Sequence, residues 1–332
     1  MKYRFPALMA VTALVAAVMT FHAAGQAPKP YKAPRTPDGQ PDIQGIWSNA
    51  VLTPLERPVD LKDKAFLTEK EALDYEKRTV ENSNKDSRAG AGTDADVARA
   101  YNDFWWDRGT KVTTLRTSLV IDPPDGRVPP QTEATKLRAA DEAKRPAFRG
   151  AGASGRGVDT WLDRSTFERC ITRGMPGAMS PTAYNNNYRI TQGPGFVAIQ
   201  IEMLGGARVI PTDGRPHLRP SMRHWMGDSV GRWDGNTLVV ETTNFTDKVL
   251  YRGAAENLHL VERFTRVGPD EIDYRVTITD PTTFTRPWTI AIPYVNTGEE
   301  MFEYACHEGN YGMEGILSGA REEERKAREQ KR

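Results

Sequence analysis

From about residue 186 onward, apolar and polar side chains alternate along the chain with a period of two. The clearest stretch is residues 272–278, which read IDYRVTI. Successive side chains of a β-strand lie on opposite faces of a sheet, so this alternation puts the apolar residues on one face and the polar residues on the other. The pattern predicts antiparallel strands that bury one face and expose the other.

Tight-turn sequences separate the alternating segments. DGN at 234–236, GPD at 268–270 and NTG at 296–298 contain the residue types that short hairpin turns need, and GPG at 193–195 marks a further turn. We therefore predict a series of hairpins. The predicted strands are 188–191, 196–203, 208–211, 229–233, 237–245, 258–267, 271–279, 287–295 and 301–307.

A run of antiparallel strands leaves open edges unless the sheet closes on itself or packs on a second sheet. We predict a mainly β fold, an antiparallel lipocalin-like barrel, with a β-sandwich as the alternative. Residues 43–321 are expected to form a single domain. Within it, residues 43–185 supply helices and long loops, and residues 186–310 supply the strands.

Local signals predict the elements of the N-terminal half. Trp47 anchors a first strand over residues 43–49. Thr68 and Glu71 have the spacing of a capping box, which predicts a helix from there to about residue 80. A second helix is predicted over residues 133–145.

Residues 1–25 have the layout of a cleavable secretory signal. Lys2 and Arg4 precede an apolar run over residues 7–21, and small residues follow it. A membrane anchor is the alternative, but the run is short for a span, which needs about 20 residues. We expect export, with a periplasmic or extracellular mature protein that begins with a linker over residues 26–42. A charged tail, helical or frayed and without an apolar stripe, is predicted over residues 322–332.

Charge and hydropathy argue against several classes of partner. The formal net charge is +1, so the chain lacks the strongly basic balance typical of nucleic-acid-binding proteins. Beyond the signal, no stretch is long and apolar enough to span a bilayer. We predict a small-molecule ligand, no nucleic-acid partner and no stable membrane span, and the sequence leaves the oligomeric state open.

The chain has two cysteines, Cys170 and Cys306. In an oxidising compartment they can form a disulfide, and two buried free thiols are the alternative. Neither has a second cysteine nearby, and the histidines are scattered, so we predict no metal site. The Gly-x-x-x-x-Gly-Lys phosphate loop is also absent, and we predict no cofactor.

Four motifs are spread over most of the mature chain. They are TPDGQPDIQGIW at 36–47, RCITRG at 169–174, GRWDGNTL at 231–238 and YACHEGNY at 304–311. Together they resemble a large family of uncharacterised secreted bacterial proteins. The resemblance implies export and a β-rich architecture, and it implies no particular activity.

The densest polar cluster precedes the turn at 234–236. It contains Arg223, His224, Trp225 and Asp228. His224 and Asp228 are four residues apart, so on a helix they would share a face, where the carboxylate could orient the imidazole for proton transfer. The alternative is a loop whose His and Asp bind backbone groups.

A second cluster, at 306–311, lies at the end of the last predicted strand and contains His307 and Tyr311. Alternation places His307 and Cys306 on opposite faces, which is unsuitable for a nucleophile–base pair. We therefore predict that His307 acts alone, as an acid–base or ligand-binding group. The alternative is a structural strand end that carries half of a disulfide.

A bridge between Cys170 and Cys306 would bring Arg169 and Arg173 close to His307. Two guanidinium groups and one imidazole at one end of the barrel would suit an anionic or phenolic oxygen.

Tyr188 could face the same space, and Glu202 is a further candidate. Tyr188 opens a strand after Asn185–Asn187, and turn chemistry before a strand is the alternative for this segment. Glu202 is a lone carboxylate late in an apolar strand. It is either solvated or the carboxylate of a pocket.

These observations predict an exported protein with a small-molecule site at a barrel mouth. The site would make it a cofactor-independent acid–base enzyme, a lyase, isomerase or hydrolase, acting on a small, partly apolar or phenolic substrate. A non-catalytic lipocalin-like ligand binder and an envelope structural protein are the alternatives. The predicted catalytic residues are His224, Asp228 and His307, and the predicted binding residues are Arg169, Arg173, Arg223, Trp225, Tyr188, Tyr311 and Glu202.

Overall fold

The computed structural model describes residues 31–84, 106–112, 114–144 and 157–331. Ala33–Arg332 form one compact unit, and Met1–Lys32 form another, of which only Tyr31 and Lys32 are described. The signal predicted over residues 1–25 lies outside the described residues. None of the described helices is long and apolar enough to cross a membrane.

The described residues contain ten strands and three α-helices. The strands are β1 Gly45–Ser48, β2 Val120–Asp122, β3 Asn187–Gly193, β4 Phe196–Ile201, β5 Ala207–Pro211, β6 Asp228–Asp234, β7 Thr237–Thr243, β8 His259–Gly268, β9 Glu271–Thr279 and β10 Trp288–Val295. The helices are α1 Glu69–Ser83, α2 Glu133–Glu142 and α3 Gly312–Glu329.

All ten strands belong to one antiparallel sheet, so the mainly β prediction is confirmed. The order is β5-β4-β3-β1-β10-β9-β8-β7-β6, and β2 pairs with β10. The edge strands β5 and β6 share no backbone ladder, so the sheet is not closed into a barrel. The described strands form a single sheet rather than the two sheets of a sandwich.

The interior side of the sheet is filled by aromatic side chains. Tyr188 and Tyr294 stack with ring centroids 5.0 Å apart, and Tyr274 packs on Tyr294 at the same separation. Phe264 completes this cluster 4.7 Å from Tyr274. All four side chains are buried, so the interior of the sheet is a packed core.

The hairpins predicted around 193–195, 234–236 and 268–270 are confirmed. They join β3 to β4, β6 to β7 and β8 to β9. In the second of these turns Gly235 has φ +61°, a left-handed conformation that glycine adopts without steric cost.

The hairpin predicted around 296–298 is wrong, because residues 301–307 do not form a strand. Both edges of β10 are already occupied. β9 pairs with one edge, and the other is shared by β1, which meets it at Ser48 and Val295, and β2, which meets it at Thr289 and Ile290. A returning strand has no free backbone groups to pair with, so the chain leaves the sheet after Val295.

Both predicted helices form, and the start signal predicted for the first one is confirmed. Thr68 caps α1, and Thr68 and Glu71 make both hydrogen bonds of the capping box. Thr132 caps α2 in the same way, accepting a hydrogen bond from the backbone N–H of Thr135.

The structure describes parts of both segments that were predicted to flank the domain. Residues 33–42 were predicted as part of a linker, but Ala33 is buried and Arg35 donates a hydrogen bond to Asn236 at 2.9 Å. At the other end, residues 322–329 are the second half of α3. That helix has one buried residue, Ala320.

Candidate functional site

The disulfide between Cys170 and Cys306 is confirmed, with the two Cα atoms 5.8 Å apart. It joins the turn at 165–174 to the segment that precedes α3. Asn310 donates a hydrogen bond to the carbonyl oxygen of Cys306 at 3.0 Å and also contacts Sγ of Cys170 across the junction, at 3.4 Å. The segment before α3 is therefore held against the turn even though it belongs to no strand.

Internal hydrogen bonds shape the turn at 165–174. The backbone N–H groups of Ile171 and Thr172 both donate to the carbonyl of Thr166. Cys170 has a left-handed φ of +55°, which reverses the chain direction there. Arg169 and Arg173, on either side of this reversal, line two different cavities.

Arg173 lines the larger cavity, a cleft of about 1080 Å³. Four segments form its walls: helix α2, residues 162–173, the loop at 247–257 and residues 280–283. Gly174 allows the second and third of these to meet, because a Cβ atom at this position would lie 2.2 Å from Cγ1 of Val249. The glycine of the RCITRG motif is thus needed for close packing of the cleft wall.

The guanidinium of Arg173 is the unusual group of this cleft. Its Nη1 atom is buried and has no hydrogen-bond partner among the described residues. The group lies 5.8 Å from the ring centroid of Phe167. Burial lowers the pKa of Arg173, and the nearby hydroxyls of Tyr188 and Tyr251 partly offset this effect. An arginine still carries its charge at neutral pH, so the cleft contains a buried donor that has no acceptor among the described residues.

Other charged groups in the cleft have partners inside the protein. Asp280 accepts hydrogen bonds from Thr282 and Thr283. Arg138 donates to Thr135 at 2.8 Å. The buried side chain of Arg164 forms an ion pair with Glu168. Unlike Arg164, Arg173 forms no ion pair with a described carboxylate, and its Nη1 atom is buried.

Apolar side chains lie at the rim of the same cleft. Leu162 and Leu250 are 64% and 67% exposed, which is high for leucine. Val249 and Phe167 also line the cavity. This surface was not predicted from the sequence, although an apolar Val249-Leu250 pair within a polar loop is a signal that could have indicated it.

Arg169 and His307 line the smaller cavity, of about 340 Å³, beside the disulfide. The predicted proximity of Arg169 to His307 is therefore found, while Arg173 lines the other cavity. The guanidinium carbon of Arg169 lies 4.6 Å from the ring centroid of Trp161.

The predicted pairing of His224 with Asp228 is wrong. The segment between them is not helical, and the backbone of His224 bonds to Asn244 and Thr246 beside β7. Asp228 instead accepts hydrogen bonds from Nδ1 of His217 at 2.7 Å and from the backbone N–H of Leu218 at 2.9 Å. A four-residue spacing brings two side chains together only on a helix, so it was misleading here.

Arg223 and Trp225 do not line either cavity. Arg223 donates to the carbonyl oxygens of Phe245 and Glu256, at 2.9 Å each, and so ties its loop to the loop at 247–257. Trp225 is 37% exposed. The two hydrogen bonds of Arg223 therefore join loops of the fold, and its side chain faces neither cavity.

Tyr188 and Glu202 are buried and fully engaged. The Tyr188 hydroxyl donates to the carbonyl of Ala178 and accepts from Asn49. Burial raises the pKa of Tyr188 above its usual range. Glu202 is neither solvated nor in a pocket, because its carboxylate accepts the backbone N–H groups of Asn187 and Phe302.

Tyr311 is 75% exposed at the start of α3 and lines neither cavity, although Asn310 beside it lines the smaller one.

A second histidine–carboxylate pair, which was not predicted from the sequence, lies near the His217–Asp228 pair. His259 on β8 and Glu241 on β7 are 2.6 Å apart, and the hydrogen bond from His259 lowers the pKa of Glu241. No group of metal-ligating side chains among the described residues could hold a metal ion.

Compared with known proteins, the chain matches no protein-family model, no curated protein and no solved structure. The family resemblance of the four motifs therefore stays a prediction.

Proposed function

We propose that this protein is exported and binds a small organic anion with an apolar or phenolic body. The proposed site is the cleft between α2, residues 162–173 and the loop at 247–257. The observation that carries the proposal is the buried Nη1 atom of Arg173, which faces no acceptor in the described chain.

A buried donor on a charged group is costly when it is left unpaired, by about 1–3 kcal/mol or more. A carboxylate or phenolate in the cleft would accept from this guanidinium, and the interaction would recover that free energy on binding. The cleft volume of about 1080 Å³ is sufficient for a small organic molecule. Arg173 therefore acts as the anchor for the anionic group.

The apolar rim favours a ligand that is more than an inorganic ion. Leu162 and Leu250 expose hydrocarbon next to the charged anchor. Covering this surface adds about 25 cal/mol for each Å² removed from water. A ligand with an acidic group at one end and an apolar or aromatic body matches both features.

Binding without turnover is supported better than acid–base catalysis. The described residues that line the cleft include no histidine, and His307 lines the other cavity. The ligand is also proposed outside the sheet rather than within a lipocalin-like barrel, because aromatic side chains fill the sheet interior.

Export is part of the proposal and has two supports. The N-terminal residues have the pattern of a secretory signal. The disulfide between Cys170 and Cys306 is of the kind that persists in oxidising compartments.

The test is ligand binding by calorimetry with matched probes. We expect benzoate or 4-hydroxybenzoate to bind and benzamide, which has no charge, not to bind. Arg173→Met should weaken carboxylate binding by about tenfold or more, because a charged hydrogen bond is lost. Arg138→Met is the matched control in the same cleft and should change the affinity less than about threefold, since Arg138 already bonds to Thr135.

The stability of the Arg173→Met variant separates binding from folding. Removing a buried, unpaired charge should leave the melting temperature of the ligand-free protein unchanged or raise it. Equal affinity for benzoate and benzamide, or unchanged carboxylate binding by Arg173→Met, would overturn the proposal.

A further inference from the structure

The smaller cavity beside the disulfide shares no lining residue with the cleft. We infer that it is a second, separate site, which binds a small oxyanion through Arg169 and His307. This inference does not depend on the ligand proposed for the cleft.

The Arg169 guanidinium is held in place by Trp161 and forms no ion pair with a described carboxylate. It stacks over Trp161, with its central carbon 4.6 Å from the ring centroid. Among the described residues, its side chain makes no hydrogen bond and no ion pair. Stacking on an indole uses the face of the guanidinium and leaves the N–H groups of its edge available. The ring holds the cation in place for an acceptor that enters the cavity.

The acidic residue of the cavity does not compensate this charge. The carboxylate of Glu168 forms an ion pair with Arg164 and accepts from the backbone and the hydroxyl of Ser165. Asn310 is also engaged, through Cys306 and Gly312. Among the described residues of the cavity, the positive charge of Arg169 is therefore not compensated by Glu168.

His307 supplies the second donor. Its exposed ring lines the cavity and makes no side-chain hydrogen bond among the described residues. The disulfide fixes its position relative to Arg169, because Cys170 follows Arg169 and Cys306 precedes His307. A guanidinium and an imidazole from two chain segments converge on one cavity, and an oxyanion has several oxygens that can accept from both.

The volume sets the size of the ligand. At about 340 Å³, the cavity is near the lower end for small-molecule sites. Phosphate, sulfate and a small carboxylate share the required chemistry. Parallel titrations with phosphate and acetate therefore show which of these oxyanions the cavity binds.

The test uses the folded, disulfide-bonded protein labelled at histidine, with ring signals followed by NMR. Inorganic phosphate is added at constant ionic strength, with acetate and chloride as parallel titrations. We expect a saturable shift of the His307 ring signals with phosphate or acetate and none with chloride, while His224 stays unaffected. An effect of chloride equal to that of phosphate, or no saturable shift, would refute the site.

Variants identify the site. Arg169→Gln should weaken oxyanion binding by about tenfold, because the charged donor is lost. Arg215→Gln, which removes an exposed arginine paired with Asp213, should have no effect and controls for net charge. If Arg169→Gln lowers the melting temperature, His307→Gln provides the second variant, observed through the indole signal of Trp161.

The same titrations separate this site from the cleft. Arg173→Met should leave phosphate binding at His307 unchanged, and Arg169→Gln should leave benzoate binding unchanged. Loss of both activities in either variant would mean that the cavities form one site, which would overturn this inference. If the wild type binds phosphate at His307 but does not bind benzoate, the proposed function of the cleft is wrong and the oxyanion site still holds.

Discussion

Arg208 on β5 and Glu262 on β8 form a bidentate ion pair inside the sheet, with nitrogen–oxygen distances of 2.9 and 2.6 Å. Their side chains are 3% and 0% exposed. Arg208 also donates to Ser229 on β6 at 3.2 Å, and Tyr274 donates to Glu262 at 2.9 Å. Side chains, rather than a backbone ladder, therefore join the two edges of the sheet.

Arg208→Met should destabilise the fold by about 3–5 kcal/mol, because it leaves the Glu262 carboxylate buried without its partner. Urea unfolding measures this free energy. Arg215→Met is the control, since that arginine is 61% exposed and exposed pairs contribute about 1 kcal/mol at most. The double variant Arg208→Met/Glu262→Leu should recover much of the lost stability. A loss below about 1 kcal/mol in the single variant would show that the Arg208–Glu262 ion pair does not hold the sheet edges together.

Removing the disulfide should destabilise the protein by about 2–5 kcal/mol, because its sequence separation of 136 residues closes a long loop. The double variant Cys170→Ser/Cys306→Ser, unfolded in urea, tests this. The non-reduced wild type should contain no titratable thiol. Two free thiols in that titration would show that the bridge does not form in solution.

Deleting residues 322–332 should change the free energy of unfolding by less than about 0.5 kcal/mol. The ion pairs of this segment, such as Arg325 with Glu322 and Glu329, are exposed and lie within the helix.

Deleting residues 318–332 should cost about 1–2 kcal/mol, because it removes buried Ala320 and the bond from Arg321 to the carbonyl of Val158. Equal effects of the two deletions would show that the tail itself docks.

The Arg164–Glu168 pair should make stability depend on acid pH. Burial alone would raise the pKa of Glu168, but the bonds from Arg164 and Ser165 outweigh it and hold the pKa below the usual 4.5. The carboxylate therefore protonates more readily in the unfolded chain. Its contribution is fully present above pH 4.5 and is lost as the pH falls through the lower folded value.

Glu168→Gln should lower stability by about 1–3 kcal/mol at neutral pH and flatten this acid dependence. Unfolding free energies between pH 7 and pH 3 provide the measurement. Glu133→Gln, at a side chain that is 82% exposed, is the control and should keep the wild-type slope. An unchanged slope in Glu168→Gln would assign the acid sensitivity to other groups.

Features that depend on neighbours in the chain were predictable. The capping box of Thr68 and Glu71 is satisfied by backbone groups within one helical turn. The turn at 234–236 needs a left-handed residue, which Gly235 supplies. The disulfide was predictable for a different reason, because a chain with two cysteines offers a single pairing.

The candidate site was predicted only in part. The disulfide brought Arg169 and His307 to one cavity, as the two motifs indicated. The same turn sends Arg173 to the cleft, because the chain reverses at Cys170. The sequence contains no short-range signal for which wall a side chain will line after such a reversal.

The sequence by itself determined the β class, the positions of most strands and the start of each predicted helix, because side-chain alternation, turns and caps act over a few residues. Only the tertiary structure decided that β1 and β2 share one edge of β10, that Asp228 pairs with His217, and that Arg208 reaches Glu262 across the open edges. These contacts join residues distant in the chain. Backbone pairing and burial choose such partners in space, and no periodic pattern along the chain encodes that choice.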